Sequence, residues 1–277
     1  MPLLMPAMTL TLGIFWVAMA VLLVLSVYPF LSETPRFTLA GWQKFVTDEF
    51  YWHVVRTTLT LALLVTGLTL IVGYPVAQAI TRIRRPGILV MIYVVLVSPI
   101  LVSVVVRTYG WLLLLSKQGL LNFALLRLGI VRDPVSLIFN MTGILIAMVH
   151  ILLPFMVFPI LSVMTQLDPD LKQAAGDLGA SRWVTFRRVT LPLTLPGIIS
   201  GCQIVFTLTI SAFVTPFFMG GGRVQVLSGL IFRDVEGVNL SFASVVVFIT
   251  LGLIVSILIL TNRLTRQIYE RADVSRT

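Results

Sequence analysis

Six long apolar segments constrain this chain more than any other feature of its sequence. A helix rises about 1.5 Å per residue, so about 20 apolar residues are enough to cross a hydrocarbon core about 30 Å thick. The apolar segments run over Leu10–Leu31, Thr57–Ile80, Ile88–Leu115, Val135–Val163, Leu193–Met219 and Leu240–Leu260. We therefore predict an all-α membrane protein with six transmembrane helices.

The composition also favours a polytopic membrane protein over a soluble domain. Of the 277 residues, 58% are hydrophobic and 11% are charged, whereas a soluble domain carries about 25% charged residues. The net charge of +9 would suggest nucleic acid as the partner of a soluble protein. In a membrane protein it more often reflects basic loops that face anionic lipid. We therefore expect membrane lipid, and no nucleic acid, as a partner.

The distribution of basic residues predicts the orientation of the chain. Six spans place both termini on one side, and cytoplasmic loops are enriched in Lys and Arg. One set of loops and the tail hold the denser clusters, which are Arg82, Arg84 and Arg85, then Lys172, Arg182, Arg187 and Arg188, then Arg263, Arg266, Arg271 and Arg276. We predict that this side, with both termini, is cytoplasmic. The loops are short, so residues 1–277 are predicted to form a single transmembrane domain.

A charged stretch, LDPDLKQAAGDLGASRWVTFRRVTLP at Leu167–Pro192, interrupts the apolar sequence between the fourth and fifth spans. Asp168 is a strong N-cap residue, and Pro169 suits the first helical position. Apolar or small residues then recur with helical spacing at Leu167, Leu171, Ala174, Ala175 and Leu178. The stretch therefore predicts a short amphipathic helix on the cytoplasmic side.

Gly179 is predicted to end this helix in a left-handed conformation, and Ser181 is predicted to cap a second short helix. On the second helix Trp183 and Phe186 share a face at i and i+3. The residues alone leave two interpretations of this helix–glycine–helix unit open. It either rests on lipid headgroups as an interfacial element, or it docks on a cytoplasmic partner through its apolar side.

The spacing of the stretch closely resembles the EAA loop of ABC importer permeases. The matching residues are Gln173-Ala174-Ala175, then Gly179-Ala180 after three residues, then Phe186 and Leu191-Pro192. Gln173 stands where that family usually has Glu, which removes the charge but keeps the side-chain length. Other segments are similar to permeases of spermidine/putrescine-type importers, namely RTYGWLLLLSKQGLLN, HILLPFMVFPILSVM, AAGDLGAS, LPLTLPGIISG and FVTPFFMGGG.

This resemblance implies a permease subunit of a type I ABC importer in the inner or plasma membrane of a prokaryote. It implies a cytoplasmic ABC ATPase dimer, an extracytoplasmic solute-binding protein and a second permease subunit, which we expect to be a related but different chain. The ATPase is expected to dock on a coupling segment at about residues 166–190. The docking residues implied are Asp168, Leu171, Gln173, Ala174, Ala175, Asp177, Leu178, Gly179, Ala180 and Phe186.

The sequence carries no motif for ATP hydrolysis. The glycine cluster at Gly220–Gly229 lacks the Gly-Lys-Ser/Thr of a phosphate-binding loop. The single Cys202 excludes an intrachain disulfide and a multi-cysteine metal site. His53 and His150 are isolated in the sequence. We therefore expect a transport subunit with no catalytic, cofactor-binding or metal-binding residues, and with ATP and Mg²⁺ bound by the partner ATPases.

The predicted spans lack the acidic residues that a path for a cationic solute would be expected to contain. Polyamines are cations, and a membrane site for them would be expected to use carboxylates or aromatic cages, yet the centres of the predicted spans hold no Asp or Glu. Weak binding in the pore, acids from the second permease, or a different solute would each explain this. Candidate path residues are Arg107, Tyr109, Trp111, Asn140, His150, Gln203, Thr207 and Ser211. Interhelical hydrogen bonding and interfacial anchoring are the alternatives for them.

An ion-coupled secondary transporter that acts without an ATPase is the alternative function. Such a protein normally needs an intramembrane ionisable group with a partner, and many are built from inverted repeats. No internal repeat is evident, and the spans lack central carboxylates. The sequence therefore favours the ABC importer permease.

Overall fold

The structure, a computed structural model, describes residues 5–28, 36–168 and 170–274. This part of the chain is helical and contains no strand. The helices are α1 (Met5–Val27), α2 (Ala40–Thr47), α3 (Glu49–Ile80), α4 (Pro86–Leu101), α5 (Val104–Leu115), α6 (Leu120–Arg127), α7 (Met141–Gln166), α8 (Asp170–Asp177), α9 (Arg182–Thr185), α10 (Leu191–Ser211), α11 (Val214–Gly220), α12 (Leu227–Glu236) and α13 (Leu240–Val274). A π-helical segment, Phe186–Thr190, joins α9 to α10. The predicted all-α fold is confirmed.

The six predicted spans correspond to five continuous helical stretches and one bent pair. Among the described residues, the stretches long and apolar enough to cross a membrane are Met8–Val27, Glu49–Ile80, Met141–Gln166, Arg182–Ser211 and Leu240–Arg263. The bent pair, Pro86–Leu101 with Val104–Arg127, supplies a sixth span if it is counted as one, and its two parts meet at 105°.

The third span therefore differs from the predicted single segment Ile88–Leu115. The backbone leaves the helical region at residues 102–103, between α4 and α5. Pro99, in the last turn of α4, has no N–H for the carbonyl of Val95. The Ser98 hydroxyl donates to that carbonyl instead, at 3.0 Å. Freed backbone groups inside an apolar segment need such replacement partners, and here a side chain supplies one.

The fourth and fifth spans also end at residues that the apolar pattern did not reveal. α7 begins at Met141 rather than at Val135, because Asn140 caps it through a side-chain oxygen that accepts from the N–H of Gly143 at 3.0 Å. The predicted fifth span, Leu193–Met219, is interrupted between α10 and α11. At that break the backbone of Ala212 is extended, with φ −68° and ψ 124°.

The first, second and sixth spans extend beyond their predicted limits. α1 begins before Leu10, and residues 29–31 of that predicted span lie outside the described part of the chain. α3 begins at Glu49 rather than Thr57, and α13 continues to Val274. Polar and charged residues extend α3 and α13 past the apolar core of each segment.

The chain forms two compact units, one from residues 1–58 and 225–256 and the other from residues 59–224 and 257–277. In the first unit the rings of Phe45 and Tyr51 stack at 5.2 Å between centroids, and the Tyr51 and Phe242 rings lie 5.0 Å apart. The single transmembrane domain stays a prediction.

The core of the second unit forms where α10 packs on α7. A Cβ on Gly197 would lie 2.7 Å from the carbonyl oxygen of Pro159, and one on Gly201 would lie 2.8 Å from Met156 Sδ. Glycine at both positions therefore allows this close approach of the two helices. The small-residue face of α10 is used for packing within the subunit.

Candidate functional site

The coupling segment, residues 166–190, is a helix–turn–helix held by local interactions. After α8, Gly179 adopts a left-handed φ of +77°. Two backbone bonds close the turn, from the N–H of Gly179 to the Gly176 carbonyl at 2.9 Å and from the N–H of Ala180 to the Ala175 carbonyl at 3.0 Å. Side chains with a Cβ are disfavoured at this φ, β-branched ones most of all. The predicted left-handed turn at Gly179 is confirmed.

Side chains cap both helices of the coupling segment. Asp168 Oδ1 accepts from the N–H of Asp170 at 3.0 Å. Ser181 Oγ accepts from the N–H of Val184 at 3.4 Å. Pro169, predicted at the first helical position, lies outside the described residues. Both predicted caps are confirmed, and α8 itself begins at Asp170.

The apolar face of the coupling segment is not covered by this chain. Leu178 is 89% exposed, Trp183 67% and Leu171 45%. The other predicted docking residues follow the same trend, with Asp168, Gln173, Ala174, Asp177 and Gly179 exposed and Ala175 and Ala180 half-buried. Large apolar side chains gathered on an exposed surface mark an interaction site. The role of these residues in docking stays a prediction.

Phe186 differs from the other predicted docking residues because it points into the protein. Its ring centroid lies 5.4 Å from that of Trp183 and 5.7 Å from that of Tyr74 on α3. The Tyr74 hydroxyl in turn lies 3.1 Å from Thr194 Oγ1 on α10. Tyr74 and Thr194 were not predicted from the sequence, because they are 120 residues apart and neither belongs to a local pattern.

The bent third span brings three candidate path residues together. Arg107 Nη1 donates to the carbonyl of Pro99 in the last turn of α4, so a cation stabilises the C-terminal end of that helix. The Trp111 ring packs edge-on against the His150 ring of α7, with centroids 5.3 Å apart. Arg107 and Trp111 are spaced by four on α5, so they lie on the same face of that helix. The guanidinium therefore holds the break between α4 and α5.

A cluster of aromatic rings lies where α5 meets α11. We call Tyr109, Phe213, Phe217 and Phe218 the aromatic cluster. The Tyr109 and Phe218 centroids are 5.4 Å apart, those of Phe217 and Phe218 5.3 Å, and those of Phe213 and Phe217 5.0 Å. Tyr109 is 50% exposed. The three phenylalanines were not among the predicted path residues, although the run FVTPFF at Phe213–Phe218 could have indicated them.

The three candidate path residues on α10 follow one helix face, since Gln203, Thr207 and Ser211 are spaced by four. Gln203 Nε2 donates to Thr261 Oγ1 at 2.7 Å and to Asn262 Oδ1 at 3.0 Å. Gln203 also lines a mostly apolar groove of about 520 Å³. Ser211 donates to the Thr207 carbonyl at 3.0 Å. Interhelical and local bonds therefore account for Gln203 and Ser211, and their place in the path stays a prediction.

Asn140, another candidate path residue, has a structural role. Besides capping α7, its Nδ2 donates to the Ser136 carbonyl at 2.7 Å. The amide oxygen and the amide nitrogen of Asn140 are therefore both hydrogen-bonded within the protein, and a contact with solute is not needed to explain the residue. Its place in the path also stays a prediction.

Titratable side chains are sparse in and near the spans. Glu49 opens α3, so the second span carries an acid at its first residue and none at its centre. Outside the spans, burial raises the pKa of Asp234 on α12, while Arg233 and Lys44 act in the opposite direction. Within the described part of the chain, no group of three or more His, Cys, Asp or Glu is placed to hold a metal ion.

The chain matches the family described as binding-protein-dependent transport system inner membrane component over residues 69–271. It is 37% identical over 198 residues to the spermidine/putrescine transport system permease protein PotB of Escherichia coli (strain K12), covering 70% of each chain. It is 33% identical over 203 residues to the inner membrane ABC transporter permease protein YdcU of the same organism, covering 69% of this chain and 64% of the relative. The family match includes the coupling segment and every candidate path residue.

A more distant relative and a solved structure extend the similarity over nearly the whole chain. The sulfate transport system permease protein CysT of Escherichia coli (strain K12) is 25% identical over 271 residues, covering 95% of this chain and 96% of the relative. The fold resembles a chain in the crystal structure of a bacterial ABC transporter involved in the import of the acidic polysaccharide alginate. The TM-score is 0.76 at 20% identity, over 96% of this chain and 94% of that chain. At this identity the structural likeness shows the fold alone.

Proposed function

The chain belongs to the family of binding-protein-dependent transport system inner membrane components, and we propose that it forms part of the path by which a polyamine or a related amine enters the cell. It is a multi-pass inner-membrane permease of the type I ABC importer class. Spermidine and putrescine are the proposed solutes, because the polyamine permease named above is among its relatives. An extracytoplasmic binding protein would deliver the solute.

The exposed apolar face of the coupling segment is the observation that carries this proposal. Leu171, Leu178 and Trp183 are large apolar side chains on a surface that also exposes acidic and basic residues, such as Asp170 and Arg182. Leaving the apolar side chains in water is unfavourable, so a partner surface that covers them would gain free energy. We propose that the partner is a cytoplasmic ABC ATPase, which binds ATP and Mg²⁺, and that both chain termini are cytoplasmic as well.

Energy then reaches this subunit mechanically. When ATP closes the ATPase dimer, each docked coupling segment would move with its half of the dimer. The path would open outward to the binding protein, and hydrolysis would reset it, as in other alternating-access systems biased by a partner. A second permease, related to this chain, would supply the opposite wall of the path.

The aromatic cluster supports a cationic solute despite the absence of acids at the centres of the spans. Aromatic faces attract ammonium groups, by about 0.5–1 kcal/mol at exposed sites and about 2 kcal/mol when the site is dry. The C-terminal end of α10 lies next to the cluster, and the carbonyls of a helix end carry partial negative charge. Weak attraction of this kind suits passage, with selection left to the binding protein.

The proposal is tested with the full transporter in proteoliposomes, comprising this chain, the second permease, the ATPase and the binding protein. The measurements are ATP hydrolysis with and without solute-loaded binding protein, and uptake of labelled spermidine in competition with putrescine and with sulfate. We expect stimulated hydrolysis and ATP-dependent spermidine uptake that putrescine inhibits and sulfate leaves unchanged.

Two results would overturn parts of the proposal separately. Uptake by this chain alone, driven by an ion gradient and independent of ATP, would support the secondary-transporter alternative. Stimulated hydrolysis together with transport of sulfate and exclusion of spermidine would support the importer assignment and would contradict an amine as the solute.

A further inference from the structure

The coupling segment is joined to the fifth span by a turn of unusual geometry. The π-helical segment Phe186–Thr190 runs directly into α10, and the N–H of Leu191 donates to the carbonyl of Phe186, five residues back. Pro192 lacks the N–H that an α-helix would supply to the Arg188 carbonyl. Single π-helical turns are rare and are often found at functional sites.

A side chain of α10 stabilises the carbonyls at this junction. Thr194 Oγ1 lies 2.9 Å from the Thr190 carbonyl and 3.0 Å from the Leu191 carbonyl, so its hydroxyl donates to both. The Tyr74 hydroxyl and Thr194 Oγ1 lie 3.1 Å apart and share a hydrogen bond, in which the Tyr74 hydroxyl is the donor when the Thr194 hydrogen is used by the carbonyls. Thr194 is fully buried, and Tyr74 is 9% exposed. This pair is a buried polar contact between α3 and α10.

Aromatic contacts connect the same pair to the surface of the coupling segment. Trp183, which is exposed, stacks on Phe186 with an angle of 26° between the rings. Phe186 meets the Tyr74 ring edge-on at 78°. A continuous series of contacts therefore runs from the coupling segment through Phe186 and Tyr74 to the first turn of α10.

The far side of this series is closely packed. A Cβ on Gly73, beside Tyr74, would lie 3.0 Å from Met156 Cγ on α7. α10 is held against the same helix through Gly197. The π-helical turn thus separates an exposed segment from a tightly packed pair of helices, which makes it the place where the angle between them is able to change.

We propose that Tyr74, Phe186 and Thr194 form a transmission joint that passes movement of the coupling segment to α3 and α10, with Tyr74 as a positioning residue. This inference rests on the proposed function. The Phe186 ring transmits the displacement by contact, and the Tyr74–Thr194 hydrogen bond keeps α3 and the start of α10 moving together. Loss of that bond uncouples ATP hydrolysis from transport while the ATPase stays docked.

The test uses the assembled transporter in proteoliposomes with the variants Tyr74→Phe, Thr194→Val and Thr194→Ser. The readouts are the amount of ATPase that copurifies, the melting temperature, and solute taken up per ATP hydrolysed. Tyr74→Phe and Thr194→Val should lower uptake per ATP by about fivefold, the effect of one net hydrogen bond on an equilibrium. Thr194→Ser keeps the hydroxyl and should show the same uptake per ATP as the wild type.

Matched controls are Tyr51→Phe, a buried tyrosine in the first unit, and Thr250→Val, a buried threonine whose hydroxyl bonds the Val246 carbonyl of its own helix at 2.8 Å. Neither should change uptake per ATP. Full uptake per ATP in Tyr74→Phe and Thr194→Val would overturn the joint, provided that the wild-type transporter is active. Loss of ATPase copurification in both variants would mean that Tyr74 and Thr194 have only a structural role. That result would also overturn the proposed joint. An inactive wild type would instead count against the proposed function.

Discussion

The turn at Gly179 and the break between α4 and α5 both redirect the chain sharply, but different interactions hold them. The Gly179 turn is exposed and is closed by backbone hydrogen bonds. The break is closed by side chains, with Arg107 reaching back eight residues to the Pro99 carbonyl. The turn is therefore an autonomous local unit, able to move with whatever docks on it. The break depends on a cation at an apolar location, where such a group is costly unless paired.

Of the substitutions in these two regions, replacement of Arg107 should have the largest effect on stability and transport. Arg107→Met leaves the Pro99 carbonyl without its charged donor, and hydrogen bonds to charged groups contribute about 1.5–3 kcal/mol. We expect a clearly lower melting temperature of the purified permease in detergent, together with reduced uptake. Arg107→Lys keeps the charge without the planar fork and should fall between the two. A melting temperature equal to wild type in Arg107→Met would mean that the break holds without its cation.

Gly179→Val should have the next largest effect. It should reduce the coupling of ATP hydrolysis to transport more than it reduces the overall stability of the permease. A left-handed conformation costs an ordinary residue about 1–2 kcal/mol, and a β-branched one resists it more. Faster hydrogen exchange should appear in the coupling segment and not in the spans, and uptake should fall. The control is Gly176→Ala, since that glycine is helical and has open space around it. Alanine there should leave transport intact and protect the helix slightly.

The smallest effect is expected from the cap at Ser181. Ser181→Ala removes a cap worth about 0.5–2 kcal/mol in general, and the 3.4 Å distance to the Val184 nitrogen favours the lower end. Exchange at the amides of α9 should rise, while Ser181→Asp should return it to the wild-type rate. Unchanged exchange in Ser181→Ala would show that the turn and its backbone bonds suffice to hold the second helix.

The same contrast explains what could be predicted from the sequence. The Gly179 turn, the Ser181 cap and the Trp183–Phe186 face depend on residues within a few positions of one another, so local rules identify them. The six apolar segments were also recognisable, because span length is a property of each segment alone. The limits of the spans were less accurate, since a cap such as Asn140 is one residue in a long apolar run.

Features formed by distant residues were not predictable. Pro99 alone is compatible with a kinked but continuous helix, and the bond from Arg107 to the Pro99 carbonyl across the 105° bend is visible only in three dimensions. The Tyr74–Thr194 link and the meeting of Tyr109 with Phe218 join residues more than 100 positions apart. No periodicity within one segment carries that information.

The proposed link between ATP hydrolysis and transport depends most on docking of the ATPase at the coupling segment. The most direct measurement is the affinity of the purified permease for its ATPase, in wild type, Leu178→Asp and the matched control Leu178→Met. We expect Leu178→Asp to bind more than about tenfold more weakly, because a charge would be buried in an apolar interface, and Leu178→Met to bind as wild type does. Equal affinity of Leu178→Asp and wild type, with transport preserved, would contradict docking of the ATPase at the coupling segment.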